Sequence, residues 1–523
     1  MNGNNQMNGA EALVKSAIAL GIELCFANAG TTELPIIAAM DKAPGIKAVL
    51  GLFEGVCTGA ADGYGRLTGK PAMNLLHLGP GFANGIANLH NARRASSPVL
   101  NIIGEHATWH KDADPPLAMD IEGLSATVSD WTMTNRTPPD LPLNVANGVS
   151  IASGGRIASL IVPHDHQLTP CEGGGSPAPS ERTFDPSDED EVKGAARLLK
   201  DSNRTALLLG SRALKREGLY LAAEIQRLTN CNLFSPTFPG IVERGVGLPN
   251  VERIPYFPEA AVEMLSEYES MVLAGAKEPI AFFGYPGGVS RILGEDQKKA
   301  AIGTGNQDIL EAMALLVDIL KSGGKTRSRG RAVNDSTRPG VPDGELDPGK
   351  VCRTLAALQP EGAIIVEEGL TTSMDYYALT SGLPPHTILS ITGGAIGYGM
   401  PCATGAALAC PERPVIDFQA DGSAMYTVQS LWTQAREGLN VTTLLCSNRS
   451  YKILKIELER AGIEKPGISA QVLTDLTEPE IDWVRISEGF GVPAVSVTGT
   501  RELADALKRG LLEPGPFLIE MIL

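Results

Sequence analysis

Pro414–Tyr451, PVIDFQADGSAMYTVQSLWTQAREGLNVTTLLCSNRSY, is the stretch from which the fold can be read. A run from Val415 to Phe418 breaks at Ala420-Asp421-Gly422-Ser423, a helix-period segment follows from Tyr426 to about Glu437, and a second run, Val441 to Cys446, ends at Ser447-Asn448-Arg449-Ser450. That order reads as strand, tight turn, helix, strand. In a parallel α/β sheet the carboxyl ends of the strands form the ligand edge, and helix N-termini there favour anions. Asp421 and Asn448 are hard oxygen donors, of the kind that hold Mg²⁺ with phosphate and water completing the octahedron. A lone Asp-Gly is an ordinary turn. Here Asn448 follows 27 residues later, and both residues end an apolar run.

This pairing resembles the signature of the thiamine diphosphate enzymes of the acetolactate synthase, pyruvate oxidase and benzoylformate decarboxylase superfamily, which is Gly-Asp-Gly, a gap of this length, then Asn. Ala420 stands where the first Gly is usual. The resemblance implies that Asp421 and Asn448 are side-chain metal ligands and that Ser450 offers its carbonyl. It sets Gly422 and Ser423 against the diphosphate and counts Tyr451 among the cofactor-binding residues.

At 523 residues the chain is too long for one core and fits about three domains. A formal charge of -16 and a pI near 5.0 argue against nucleic acid or an anionic membrane as partner. No apolar run reaches the ~20 residues that span a bilayer, and MNGNNQMNGAEALV lacks the regions of a signal peptide. The eight cysteines form no C-x-x-C pair, so reduced thiols in a cytoplasmic protein are expected.

Two stretches, Cys171–Glu191 and Lys321–Gly349, read as linkers rich in Gly, Pro and charge. They divide the chain into 1–170, 190–320 and 348–523. The expected fold is α/β, with two similar parallel-sheet domains flanking a smaller α/β domain. With the resemblance, 1–170 becomes the pyrimidine-binding domain and 348–523 the diphosphate- and Mg-binding domain.

In the first segment the polar residues of interest lie at strand exits. Glu54 is expected just past a strand Ile46–Phe53, His77 just before the turn Gly79-Pro80-Gly81, and Thr31 in the turn after strand Glu23–Ala27. GLFEGVCTGAADGYGRLTGKPA and LLHLGPGFANGIANLHNA resemble the family's pyrimidine domain. That implies that Glu54 contacts N1′ of the aminopyrimidine, sharing a proton so that the 4′ nitrogen can act as base toward C2 of the thiazolium. In the C-terminal segment Thr392-Gly393-Gly394-Ala395-Ile396-Gly397-Tyr398-Gly399 resembles the loop that bends the cofactor, with Ile396 as the wedge and the Gly394 carbonyl as an aminopyrimidine contact. His77 matches a histidine of benzoylformate decarboxylase. Thr31 either touches a substrate carboxylate, as a serine does there, or caps the helix at Glu33.

His106 and His110 would share a helix face, without an evident third metal ligand. His164 and His166 read as solvated loop residues. A second histidine of benzoylformate decarboxylase has no counterpart near Phe283-Gly284-Tyr285. Leu454 stands where pyruvate decarboxylases carry a glutamate.

The best match, over nearly the full length, is to proteins named acetolactate synthase large subunit-like. It implies decarboxylation of a 2-oxo acid and carboligation of the resulting enamine to a second carbonyl compound. The alternatives are simple decarboxylation, and a weakly active cofactor-binding paralogue. Thiamine diphosphate and Mg²⁺ are the implied cofactors. FAD is possible, although no Gly-rich phosphate loop opens a helix in 190–320. The resemblance also implies a homodimer or homotetramer with active sites between subunits.

Overall fold

The computed structural model describes residues 7–171, 184–201, 204–322, 333–463 and 465–523. Most of the first expected linker, 172–183, and part of the second, 323–332, lie outside the described residues, as does Gln6, where the sequence pattern predicts the start of a helix running to Leu20. Its described part runs Gly9–Ala19 and is capped by Asn8, whose side chain accepts from the Glu11 N–H.

Three α/β domains with parallel sheets make up the chain. The first sheet has six strands in spatial order Lys47–Leu50, Leu24–Asn28, Ala72–Leu76, Val99–Glu105, Ile157–Pro163, Trp131–Thr134, all paired in parallel. Its inner strands are apolar on both faces because helices cover both sides. The middle sheet has five parallel strands, with Thr205–Leu209 and Ser270–Ala274 at its centre. The third has seven, in the order Ala494–Val497, Phe517–Ile522, Val441–Ser447, Val415–Ala420, Ile364–Glu368, His386–Ser390, Val242–Arg244. The last of these comes from the middle segment and pairs antiparallel with His386–Ser390. The middle segment therefore supplies an edge strand to the third sheet.

The quoted stretch forms strand Val415–Ala420, one helical turn Asp421–Ala424, helix Ser430–Glu437 and strand Val441–Ser447. The expected helix starts four residues late, since 425–429 form turns and leave Tyr426 exposed. Strand Ile46–Phe53 shortens to Lys47–Leu50, because the chain bends at 51–53 and Glu54 itself opens helix Glu54–Thr68. The Phe53 carbonyl accepts from the Val56 N–H, which closes that bend. Gly79-Pro80-Gly81 lies inside the first turn of helix Leu78–Ala95 rather than ahead of it. Ile280–Phe283 is no strand; Ile280 makes a single bridge to Arg291.

The outer domains meet through helices Glu54–Thr68 and Gly399–Ala409, which approach so closely that only glycine fits. A Cβ on Gly63 would lie 2.2 Å from the Cys402 carbonyl oxygen, and one on Gly405 1.9 Å from that of Ala60. No helix among the described residues is long and apolar enough to cross a membrane.

Candidate active site

Parallel pairing sets Ala420 beside Cys446, so the two strands release Asp421 and Asn448 at the same edge. Asp421 is buried, and its two carboxyl oxygens accept the N–H groups of Gly422 at 2.8 Å and Arg449 at 2.6 Å. Burial pushes its pKa up, and these backbone bonds pull against that. Asn448 Oδ1 accepts from the Ser450 N–H at 3.0 Å. The Ser450 carbonyl accepts from the Lys452 N–H at 2.8 Å, and its hydroxyl donates to the Thr474 carbonyl at 3.0 Å. Gly422 lies under the Tyr451 ring, where a Cβ would come within 2.6 Å. Ser423 is buried beside it. Asp, Asn and backbone oxygens form a hard donor set that fits Mg²⁺ with a diphosphate completing the shell.

The loop 392–399 is shaped by Glu368, a residue that carries no motif signal in the sequence. This buried carboxyl accepts the N–H groups of Gly397, Tyr398 and Gly399 at 2.9, 3.2 and 2.6 Å, and the Gln419 amide at 3.0 Å. Burial raises the pKa of Glu368 and, more strongly, of Asp417 beside it. Gly394 and Gly397 take φ of 73° and 89°, conformations open to glycine. Ile396 is half-buried, and with Gly394 and Thr371 it lines a cavity of about 790 Å³. The Gly394 backbone and the apolar Ile396 side chain at its edge fit a bent aminopyrimidine–thiazolium cofactor.

At the edge of the first sheet, Glu54 accepts from the Asn84 amide at 2.9 Å. Its other oxygen would sit 3.0 Å from a Cβ on Gly81, so the glycine keeps that side open. His77 Nδ1 lies 2.8 Å from Glu33 Oε2 and 3.2 Å from Thr32 Oγ1. Glu33 is fully buried and also accepts the Gly30 N–H at 2.8 Å. Gly104 makes the space, since a Cβ there would overlap the Glu33 carboxyl. Glu33 was missed from sequence; its only local signal is an acid three residues after Gly30. Thr31 is exposed, and Gly30 rather than Thr31 occupies the cap position of the short turn Thr31–Glu33. The hydroxyl that reaches His77 is that of Thr32.

His164 Nδ1 lies 3.0 Å from the Thr32 carbonyl, and His166 is buried against Asn135. Both are part of the packed edge, contrary to the expected solvated loop. His106 and His110 stand outside any helix and meet edge to face at 5.7 Å.

The Asn88 amide bridges the two sheet edges, donating to the carbonyls of Gly55 and Gly397 at 2.9 and 3.2 Å. Even so, neither Glu54 nor His77 lines the cavity of Gly394 and Ile396.

The pattern described as "Thiamine pyrophosphate enzyme, N-terminal TPP binding domain" matches residues 7–124, and its C-terminal TPP-binding counterpart matches 370–521. A Mycobacterium tuberculosis protein bearing the acetolactate synthase large subunit name IlvX is 43% identical over 520 residues, covering 99% of both chains. Benzoylformate decarboxylase of Pseudomonas aeruginosa is 26% identical, covering 96% of each. Among solved structures, the 4-hydroxybenzoylformate decarboxylase of Rhodococcus jostii RHA1 superposes with a TM-score of 0.84 at 22% identity, covering 98% of both chains.

Proposed function

Because the chain belongs to the thiamine pyrophosphate enzymes, we propose that it decarboxylates a 2-oxo acid with thiamine diphosphate and Mg²⁺ and joins the acyl unit to a second carbonyl compound. The observation that supports this most is the meeting, at one sheet edge, of the Asp421–Asn448 oxygen set and the Gly394–Ile396 loop beside a large cavity. The bound cofactor supplies a carbon nucleophile for the keto group and an electron sink for the charge left by departing CO₂.

The chain's own residues do the rest. Asp421, Asn448 and the Ser450 carbonyl hold the cation, while Gly422, Ser423 and Tyr451 border the diphosphate. Glu368 fixes the three N–H groups that shape the loop, so the Gly394 carbonyl and Ile396 present a fixed surface. Glu54, steadied by Asn84, holds and returns a proton at the pyrimidine N1′. Glu33 and Thr32 engage His77 Nδ1 and so hold the ring in one orientation.

Neither Glu54 nor the Asp421–Asn448 set lines the cavity within one chain, and we further propose that a second copy completes each site. Simple decarboxylation to an aldehyde is the second reading, and the Glu33–His77 pair favours it as a source of a proton. Purified protein given thiamine diphosphate, Mg²⁺ and a panel of 2-oxo acids, followed for CO₂ and for product, tests both. A hydroxy ketone supports carboligation and an aldehyde supports the second reading. No CO₂ from any acid overturns the enzymatic proposal.

A further inference from the structure

Beyond the Gly394–Ile396 loop, the cavity is walled by aromatic and thioether side chains, among them Phe238, Tyr256, Phe257, Phe282, Phe283 and Met374. Phe282 meets Phe238 at 5.4 Å and Tyr256 at 5.2 Å between ring centroids, so this wall is already packed into shape.

Two polar side chains on this wall have bonds left open, Arg253 at its Nε and Glu457 at its Oε1. Glu457 lies one turn after Leu454 on helix Lys452–Arg460 and lines the same cavity. Its Oε2 accepts from the Tyr285 hydroxyl at 2.7 Å and lies 3.5 Å from Arg460 Nε. Arg460 is itself drawn to both oxygens of Glu259 at 3.0 Å and stacks over Phe257. Glu457 Oε1 is buried and has no hydrogen-bond partner among the described residues. Arg253 pairs its two terminal nitrogens with Glu367 at 3.1 and 2.7 Å, while its Nε has no partner among the described residues. A buried acceptor left without a donor is costly, so it marks where a donor should arrive.

We propose that the cavity receives the side chain of the 2-oxo acid, that this side chain is aromatic, and that it carries a hydrogen-bond donor accepted by Glu457 Oε1. Tyr285 and Arg460 hold the other oxygen, so the acceptor is aimed before the substrate binds. The inference rests on the proposed function and narrows its substrate class.

The test is kcat/KM, read as CO₂ release by the protein loaded with thiamine diphosphate and Mg²⁺, on pyruvate, benzoylformate and its 4-hydroxy and 4-methoxy derivatives. The 4-hydroxy acid should exceed pyruvate about 100-fold and the 4-methoxy acid about 10-fold. Glu457→Leu should bring the hydroxy-to-methoxy ratio near unity, whereas Glu457→Gln, which keeps an acceptor oxygen, should retain much of it. Pyruvate turned over as well as the aromatic acids, or hydroxy and methoxy acids treated alike by the unaltered protein, overturns the inference while the proposed function stands. Should no acid release CO₂, the proposed function fails, and calorimetric titration with 4-hydroxyphenylacetate against phenylacetate decides the cavity alone. Tighter binding of the hydroxyl compound, lost in Glu457→Leu, supports the inference; equal or absent binding overturns it.

Discussion

Glu54 and Glu33 are both buried acids at the same sheet edge, and they differ in what they touch. Glu54 has one oxygen bound to Asn84 and one facing the open side kept by Gly81. Glu54→Gln keeps the shape but removes the acid, so steady-state turnover should fall about 100-fold or more. Glu33 acts through His77. Glu33→Gln should lower kcat about 10-fold, because the ring loses its fixed orientation. In a His77→Ala background the same change should have no further effect, and an additive loss would show that Glu33 acts elsewhere. Glu54 and Asp421 were legible in the sequence because each stands within a short motif after a strand. Glu33 was not, because its burial depends on Gly104 and its partner is His77, both on other strands.

At the level of elements, alternation of strands and helices was legible because largely apolar runs mark strands covered on both faces. The edge strand Val242–Arg244 was not, since three residues carry too little pattern and its partner lies more than a hundred residues on. The partner strand brings a pH-dependent group into the core. His386 is buried, donates from Nδ1 to the Pro384 carbonyl at 2.7 Å, and leaves Nε2 without a partner among the described residues. Burial, with the nearby Arg244 and Arg413 charges, lowers its pKa to about 4. The native state thus favours the neutral ring. Its contribution is fully present above the unfolded value near 6.5 and is lost as pH falls from there toward 4, by about 3 kcal/mol in all. Chemical denaturation from pH 7 to 4 should show that loss, and His386→Asn should flatten it. The glycine contact between the outer domains gives a second expectation. Gly405→Ala forces a methyl group against the Ala60 carbonyl and should cost about 1–3 kcal/mol, read as a lowered midpoint in thermal unfolding.

In the single chain the two chemical edges touch where Asn88 and Asn91 bond the 392–399 loop. Asp421, Asn448, Gly394 and Ile396 gather at the third sheet, and Glu54, His77 and Glu33 at the first, while the cavity is lined by the third sheet's edge and the middle domain alone. Apolar side chains near both edges stand in solvent in the single chain, including Leu34, Met425, Tyr426, Ile468 and Leu473. Such exposure is unusual away from binding surfaces. A twofold assembly would cover it and bring the Glu54 of one copy to the Asp421 of the other, with two equivalent sites per pair. This predicts complementation between two inactive variants. Glu54→Gln and Asp421→Asn proteins, each silent alone, should regain turnover after being mixed, dissociated and reassociated. In a mixed pair one site carries both altered residues and the other carries neither. If instead Glu54 and Asp421 of one chain served the same site, every site in the mixture would keep one defect and turnover would stay at the level of the separate variants.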